Sequence, residues 1–279
     1  MDDPREDPGT LRLGVVSYLN ALPLVRGLGA APEVTLISDP PAIAARKLAA
    51  GEVDVGLVPV VELLRHPELV TVSDACVGAL GPVDSVLLLL RKPPEEVSSL
   101  VLDPHSGTSQ VLAQLVFRDL FGRHPQVRIA DPATAWADGA DDAVLMIGDP
   151  ALRVFHEGAP TLDLAEAWRR MTDLPFVFAV WAGRRDLVVR HPALAGLLER
   201  ARDRGCQELQ AIAEEEAAGA GLSAGVVRVY LEDRIRYRLA ASDRAGLDRF
   251  LELARPFVHG AENDDPCSTS SSSASTQTR

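Results

Sequence analysis

Leu11-Arg12-Leu13-Gly14-Val15-Val16 runs directly into Ser17-Tyr18-Leu19-Asn20-Ala21-Leu22-Pro23-Leu24. The first six residues are apolar enough to form a strand covered on both faces. A short polar turn leaves that strand, and Pro23 suits the first turn of a helix, where its missing N–H is not needed. A strand passing straight into a helix is the unit from which α/β folds are built. The unit recurs downstream. Residues 34–38 read as a strand, and Ser38-Asp39-Pro40-Pro41 opens a helix that runs to Ala50 and stops at Gly51. Residues 53–58 read as a buried strand ending at Pro59, residues 60–65 as a short helix, 70–80 as extended chain and 85–90 as a further strand. This order predicts a largely parallel sheet covered by helices.

A second unit of the same kind starts near Arg91. A strand at 100–102 leads through Asp103-Pro104-His105-Ser106-Gly107-Thr108-Ser109 into a helix whose apolar residues Val111, Leu112, Leu115, Val116 and Leu120 recur at helical spacing, with Gly122 to close it. Strands follow at 127–130 and 143–147. Gly148-Asp149-Pro150 then opens a short helix, 163–171 reads as helix, and 176–182 is an apolar strand able to return to the first unit. The remainder reads as helices over 192–218, 225–239 and 243–257, the last capped by Ser242. Two α/β units and a C-terminal helical block predict two lobes with a cleft between them. Residues 11–90 and 183–259 are expected to form lobe 1, residues 91–182 lobe 2, and the segments 1–10 and 260–279 flexible tails. Ligands bind such folds where strand ends and helix starts converge.

Composition narrows the function classes. The chain has 279 residues, 47% of them hydrophobic and 24% charged, with a formal net charge of −12. A diffuse polyanion is poorly suited to a phosphate backbone, so no nucleic-acid partner is expected. No apolar run is long enough to span a bilayer, and no membrane partner is expected. The opening residues are polar and lack a basic segment followed by an apolar stretch, which predicts a cytoplasmic location. The three cysteines, Cys76, Cys206 and Cys267, are widely separated and suggest neither a disulfide framework nor a zinc site. The six histidines stand at no metal-ligand spacing, and His105 beside Ser106 makes a poor nucleophile pair because sequence neighbours point apart. There is no nucleophile elbow, phosphate loop or dinucleotide fingerprint, so neither a cofactor nor a metal is expected.

Several blocks taken together have a specific resemblance. Val15-Val16-Ser17-Tyr18-Leu19-Asn20-Ala21-Leu22-Pro23-Leu24 resembles the opening signature of the chorismate dehydratases of the futalosine route to menaquinone. Gly51-Glu52-Val53-Asp54-Val55-Gly56, Ser85-Val86-Leu87-Leu88, Asp103 with Ser106-Gly107-Thr108-Ser109, and Ile147-Gly148-Asp149-Pro150-Ala151-Leu152 follow in order. Asp163-Leu164, Trp168 and Leu174-Pro175-Phe176-Val177-Phe178-Ala179-Val180-Trp181 complete the series. The resemblance covers roughly residues 11–257. It implies the two-lobed α/β fold of type II periplasmic solute-binding proteins, with mixed sheets and the C-terminal helices on the first lobe. It also implies a carbon–oxygen lyase that removes water from chorismate to give 3-[(1-carboxyvinyl)oxy]benzoate, as a monomer or homodimer. The ring loses its C3 proton and C4 hydroxyl and becomes aromatic, so the difficulty is holding one geometry against rearrangement. With no strong base in evidence, the enolpyruvyl carboxylate of the substrate is the expected proton acceptor. Two other classes remain open: the sibling 1,4-dihydroxy-6-naphthoate synthase, and a solute-binding receptor without catalysis.

The candidate residues carry two readings each. Asn20 and Ser85 are the candidates for catalysis, Asn20 as an amide facing the departing hydroxyl or a carboxylate and Ser85 as a hydroxyl donor; the plainer readings are a helix cap and the start of a strand. Ser17 is either a turn residue or a substrate contact. Ser106, Gly107, Thr108 and Ser109 form the best anion site, with free N–H groups at a helix start beside hydroxyls; the plainer reading is a capped helix. Gly148 permits close backbone approach, and Asp149 is either a cap or an acceptor facing the cleft. Phe178 is a candidate ring contact, with Phe176 and Trp181 either beside it or in the core. Asp54 and Glu62 are read as structural, and Glu214 to Glu216 as a solvated face.

Overall fold

The computed structural model describes residues 10–259. The expected tails, 1–10 and 260–279, lie outside the described residues except for Thr10. The chain opens with β1 (Leu11–Val15), a one-turn 3-10 segment (Leu19–Ala21) and α1 (Leu22–Val25), in which Pro23 occupies the first turn as expected. There follow β2 (Val34–Ser38), α2 (Pro41–Ala49), β3 (Val55–Pro59), α3 (Glu62–Arg65) and the long β4 (Leu69–Ala79). The chain then builds a second sheet through β5 (Val86–Leu90), β6 (Ser99–Leu102), α4 (Gly107–Phe121), β7 (Gln126–Ile129), α5 (Pro132–Asp138), β8 (Ala143–Ile147), α6 (Gly148–His156), β9 (Thr161–Asp163) and α7 (Leu164–Thr172). It returns with β10 (Phe176–Arg184) and ends in α8 (Arg185–Arg190), α9 (Leu194–Gln207), α10 (Leu209–Ala220), α11 (Ala224–Val229), a π-turn (Tyr230–Arg234), β11 (Arg236–Arg238) and α12 (Ala241–His259).

Both sheets are mixed. The first has the order β11-β4-β10-β3-β1-β2 and the second β7-β6-β8-β5-β9. The parallel pairs are β1 with β2 and β3, and β6 with β7 and β8; β10 and β5 run antiparallel to their neighbours. This pairing moves the expected lobe boundaries. β5 belongs to the second sheet and β10 to the first, so the chain crosses between sheets at 80–85 and at 173–175, not near 90 and 182. The return of the 176–182 strand to the first sheet is as its reading allowed, while apolar composition alone did not show which sheet β5 joins.

The C-terminal block also differs from expectation. Residues 192–218 form two helices, broken at Glu208, whose carboxylate is held by Arg26 at 2.5 Å and Arg204 at 2.9 Å. Residues 225–239 are helical only to Val229, then pass through the π-turn into β11, an edge strand on β4. The last helix starts at Ala241, and Asp243 rather than Ser242 reaches back to the Ala240 N–H, at 3.2 Å. Other assignments held. Asp54 forks onto Arg12, with Arg12 Nε and Nη2 at 3.1 and 3.0 Å, and is structural. Glu62 is buried against Arg65, and Glu214 to Glu216 are exposed.

One contact of the helical block tests the packing directly. Gly205 on α9 sits against Pro23 on α1, and a Cβ there would lie 2.0 Å from the Pro23 carbonyl oxygen. On helix propensity alone, Gly205→Ala would stabilise by about 1 kcal/mol. The backbone contact reverses the sign, and a loss of about 1–3 kcal/mol or more is expected from overpacking. Chemical denaturation checks it; a raised midpoint would show that α9 does not lie this close to α1.

Candidate functional site

The ends of β1, β3 and β10 in the first sheet face β5, β8 and the start of α4 in the second across a cleft of about 560 Å³, counted to its open mouth. Its walls are chiefly apolar: Val16, Leu57, Pro59, Val77 and Phe178 from one side, Val86 and Ile147 from the other. Polar groups are few and grouped. Asn20 and Tyr18 come from the turn after β1, and His105, Ser106, Thr108 and Ser109 from the start of α4. No lysine or arginine is among the cleft-lining residues.

The start of α4 is the main polar feature. Its N-cap Ser106 makes no side-chain capping bond, so the plain capped-helix reading fails. Among the described residues no protein acceptor meets the N–H groups of Gly107, Thr108 and Ser109. A fifteen-residue helix therefore presents its positive end to the cleft. Thr108 Oγ1 is partly engaged, accepting from the Val61 N–H at 3.3 Å.

Asn20 stands inside the 3-10 turn and caps nothing. Its Nδ2 donates to the Tyr230 hydroxyl at 3.0 Å, and that hydroxyl lies 2.8 Å from Ser85 Oγ. Tyr18 lies across Gly148. Gly148 has φ of +68°, and a Cβ there would fall 2.7 Å from Tyr18 Cε1, so only glycine leaves room for the ring. Burial pushes the Tyr18 phenol up to about 12, and the nearby charges of Asp103 and Asp149 act in the same direction. The phenol therefore keeps its proton at neutral pH. Asp103 and Asp149 are themselves raised, chiefly by burial.

Of the residues singled out in the sequence, Asn20, Ser106, Thr108, Ser109, Gly148 and Phe178 line this one cleft. Four do not. Ser17 is exposed and shares a 3.0 Å hydrogen bond with Ser38 Oγ. Ser85 is fully buried, its hydroxyl on Tyr230 and its carbonyl accepting from the Gly148 N–H at 2.8 Å. Gly107 turns its Cα toward α3, where a Cβ would meet Arg65 Nη1 at 3.0 Å and Val61 Cγ1 at 3.1 Å. Asp149 neither caps α6 nor lines the cleft; its Oδ1 accepts the Leu19 N–H at 3.2 Å and so fastens α6 to the turn that carries Asn20. Phe176 and Trp181 belong to the core, leaving Phe178 alone at the wall.

Tyr18, His105 and Tyr230 are additions from the structure. Tyr18 stands two residues before Asn20 in the opening stretch, and its place in an irregular turn was the available signal. His105 was weighed only as a nucleophile partner. Tyr230 is 210 residues from Asn20 and carried no local signal.

Comparison with known proteins places the chain among relatives. Residues 11–256 match the model of a family described as "Menaquinone biosynthesis". The chorismate dehydratase of Thermus thermophilus is 32% identical over 268 residues, covering 88% of this chain and 96% of that protein. The chorismate dehydratase of Campylobacter jejuni is 24% identical over 162 residues, 58% of this chain and 60% of that protein. A protein from Archaeoglobus fulgidus superposes with a TM-score of 0.68 at 15% identity, covering 92% of this chain and all of that one (100%). The periplasmic aliphatic sulphonate binding protein of Escherichia coli does so with 0.65 at 17% identity, covering 93% and 95%. The structural likenesses establish a periplasmic-binding-protein fold, and the sequence matches establish that the chain belongs to the menaquinone-biosynthesis family.

Proposed function

We propose that this protein is a chorismate dehydratase, a lyase that removes water from chorismate to give 3-[(1-carboxyvinyl)oxy]benzoate. The observation that carries the reading is the uncapped start of α4, with the hydroxyls of Ser106, Thr108 and Ser109, opening onto an apolar wall that includes Phe178 and Leu57. That combination suits a small ring bearing carboxylates: oriented N–H groups take the charge and the wall takes the ring. The relationship to dehydratases named for chorismate supports it. Among the described residues no helix is long and apolar enough to cross a membrane, and a cytoplasmic enzyme acting on a soluble substrate is part of the proposal.

The reaction is an elimination. The C3–H bond breaks and its electron pair forms the C3–C4 double bond as the C4 hydroxyl departs with a proton as water. Fixed dipoles in a largely apolar cleft stabilise the charge that moves during this step. The Asn20 amide and the protonated Tyr18 phenol are the hydrogen-bonding groups of the first lobe that line the cleft. The enolpyruvyl carboxylate of the substrate takes the C3 proton in this reading, and His105 is the rival acceptor in the wall.

Incubating the purified protein with chorismate and following mass should show loss of 18 Da. Chorismate retained unchanged would indicate a receptor, and chorismate ignored would favour the sibling synthase. Asn20→Asp places a carboxyl group beside an anionic substrate and should lower turnover by at least about a hundredfold; near-normal turnover would remove Asn20 from the chemistry. An analogue lacking the enolpyruvyl carboxylate should bind competitively without reacting, while His105→Gln keeps turnover within about threefold of normal. The opposite pair of results would transfer the base to His105. Gly148→Ala should displace the Tyr18 ring and lower kcat/KM about tenfold or more, with kinetics on a folded variant as the check; unchanged kinetics would mean that the ring is dispensable.

A further inference from the structure

Three residues from distant parts of the chain meet beneath the cleft. Tyr230 lies in the π-turn between α11 and β11, at 2% exposure. Its hydroxyl accepts from Asn20 Nδ2 at 3.0 Å and pairs with Ser85 Oγ at 2.8 Å. Ser85 is fully buried at the first crossover between the sheets, and its carbonyl holds the N–H of Gly148, the residue under the Tyr18 ring. Of the three hydroxyl- or amide-bearing side chains, Asn20 alone reaches the cleft wall. Its amide has no other protein partner among the described residues.

An asparagine amide has a donor end and an acceptor end, and rotation by half a turn exchanges them. Whichever end faces substrate decides whether Asn20 meets a hydroxyl or an anion productively. The phenol, held from behind by Ser85, fixes where the amide sits, and with Nδ2 on that phenol the Oδ1 end is left without a protein partner among the described residues. Tyr230 and Ser85 are both buried, and their paired hydroxyls give the amide a rigid backing.

We propose that Tyr230 is a positioning residue, which fixes the orientation of the Asn20 amide through its hydroxyl and is itself set by Ser85 at the lobe crossover. Tyr230 does not touch substrate. It links the crossover to the cleft, so the amide is placed correctly only when the two lobes hold their relative position. The proposal rests on the dehydratase reading for its turnover arm alone.

Two measurements test it. In kinetics on chorismate, Tyr230→Phe and Ser85→Ala should each lower kcat about tenfold to a hundredfold while KM stays within about threefold, because misorientation of a held group falls on the chemical step. In NMR of the substrate-free protein, the Asn20 side-chain amide signal, assigned by its loss in Asn20→Asp, should shift in both variants. Tyr237→Phe is the control. It removes a buried hydroxyl that has no hydrogen-bond partner among the described residues, and should leave kcat and the amide signal as they were. The proposal is overturned if kcat in Tyr230→Phe stays within about twofold of the parent, if the control matches its loss, or if the Asn20 signal does not move. Should Tyr230→Phe fail to fold, Ser85→Ala decides by the same criteria. Should the parent protein leave chorismate untouched, the substrate reading fails and the amide signal still decides the positioning claim.

Discussion

A chain that leaves one sheet to build another must cross twice between them, and at each crossing its backbone N–H groups have no strand to pair with. Buried N–H groups left unpaired are costly, so each passage needs acceptors. Asp163 supplies them at the first crossover. One carboxylate oxygen takes the N–H groups of Val83 and Asp84 at 2.8 and 2.7 Å, and the other takes those of Ala165 and Glu166 at 2.9 and 3.1 Å, capping α7. Burial pushes this carboxyl up to about 6 against the pull of those N–H groups. At the second crossover, Thr172 Oγ1 accepts the Leu174 N–H at 3.2 Å, and Trp168 Nε1 donates to the Pro175 carbonyl at 3.1 Å. The cleft exists because these two passages are fixed; without them the walls would have no set separation.

Further bonds secure the same arrangement from the cleft side. Asp84, in left-handed backbone at φ +61°, pairs with Arg234 at 2.6 Å. Asp149 on α6 holds the Leu19 N–H, and Arg153 on the same helix donates to the Ala220 carbonyl at 2.8 Å. Ser85 and Tyr230 add a third link between the second sheet and the C-terminal block. Each of these groups could be taken for surface chemistry or for a site residue in the sequence. In the structure they hold the two lobes together, and a smaller set lines the cleft.

Among the described residues that line the cleft there is no lysine, arginine, aspartate or glutamate. A protein of net charge −12 can bind an anion only through a local field, and the exposed start of α4 provides one without any cationic side chain in the wall. Fixed dipoles suit an elimination in which charge shifts within a single molecule, because they need no reorganisation as it moves. An apolar wall of Val16, Leu57, Pro59, Val77 and Phe178 faces the start of α4 across the cleft.

The local features of this architecture were legible in the residues. The β2 strand falls on 34–38 as read, Gly51 and Gly122 end their helices in left-handed backbone, and the donors at the start of α4 follow from a glycine and hydroxyls ahead of an apolar helix. These depend on contacts between near neighbours, which spacing and residue type encode directly. The lobe to which β5 belongs, the exact pairing of β10, the short edge strand β11, the diversion of Ser85 and Asp149 from the cleft and the entire role of Tyr230 were decided by tertiary structure. Each depends on partners roughly 60 to 210 residues away, and a side chain's own sequence neighbourhood does not record which distant group will satisfy it.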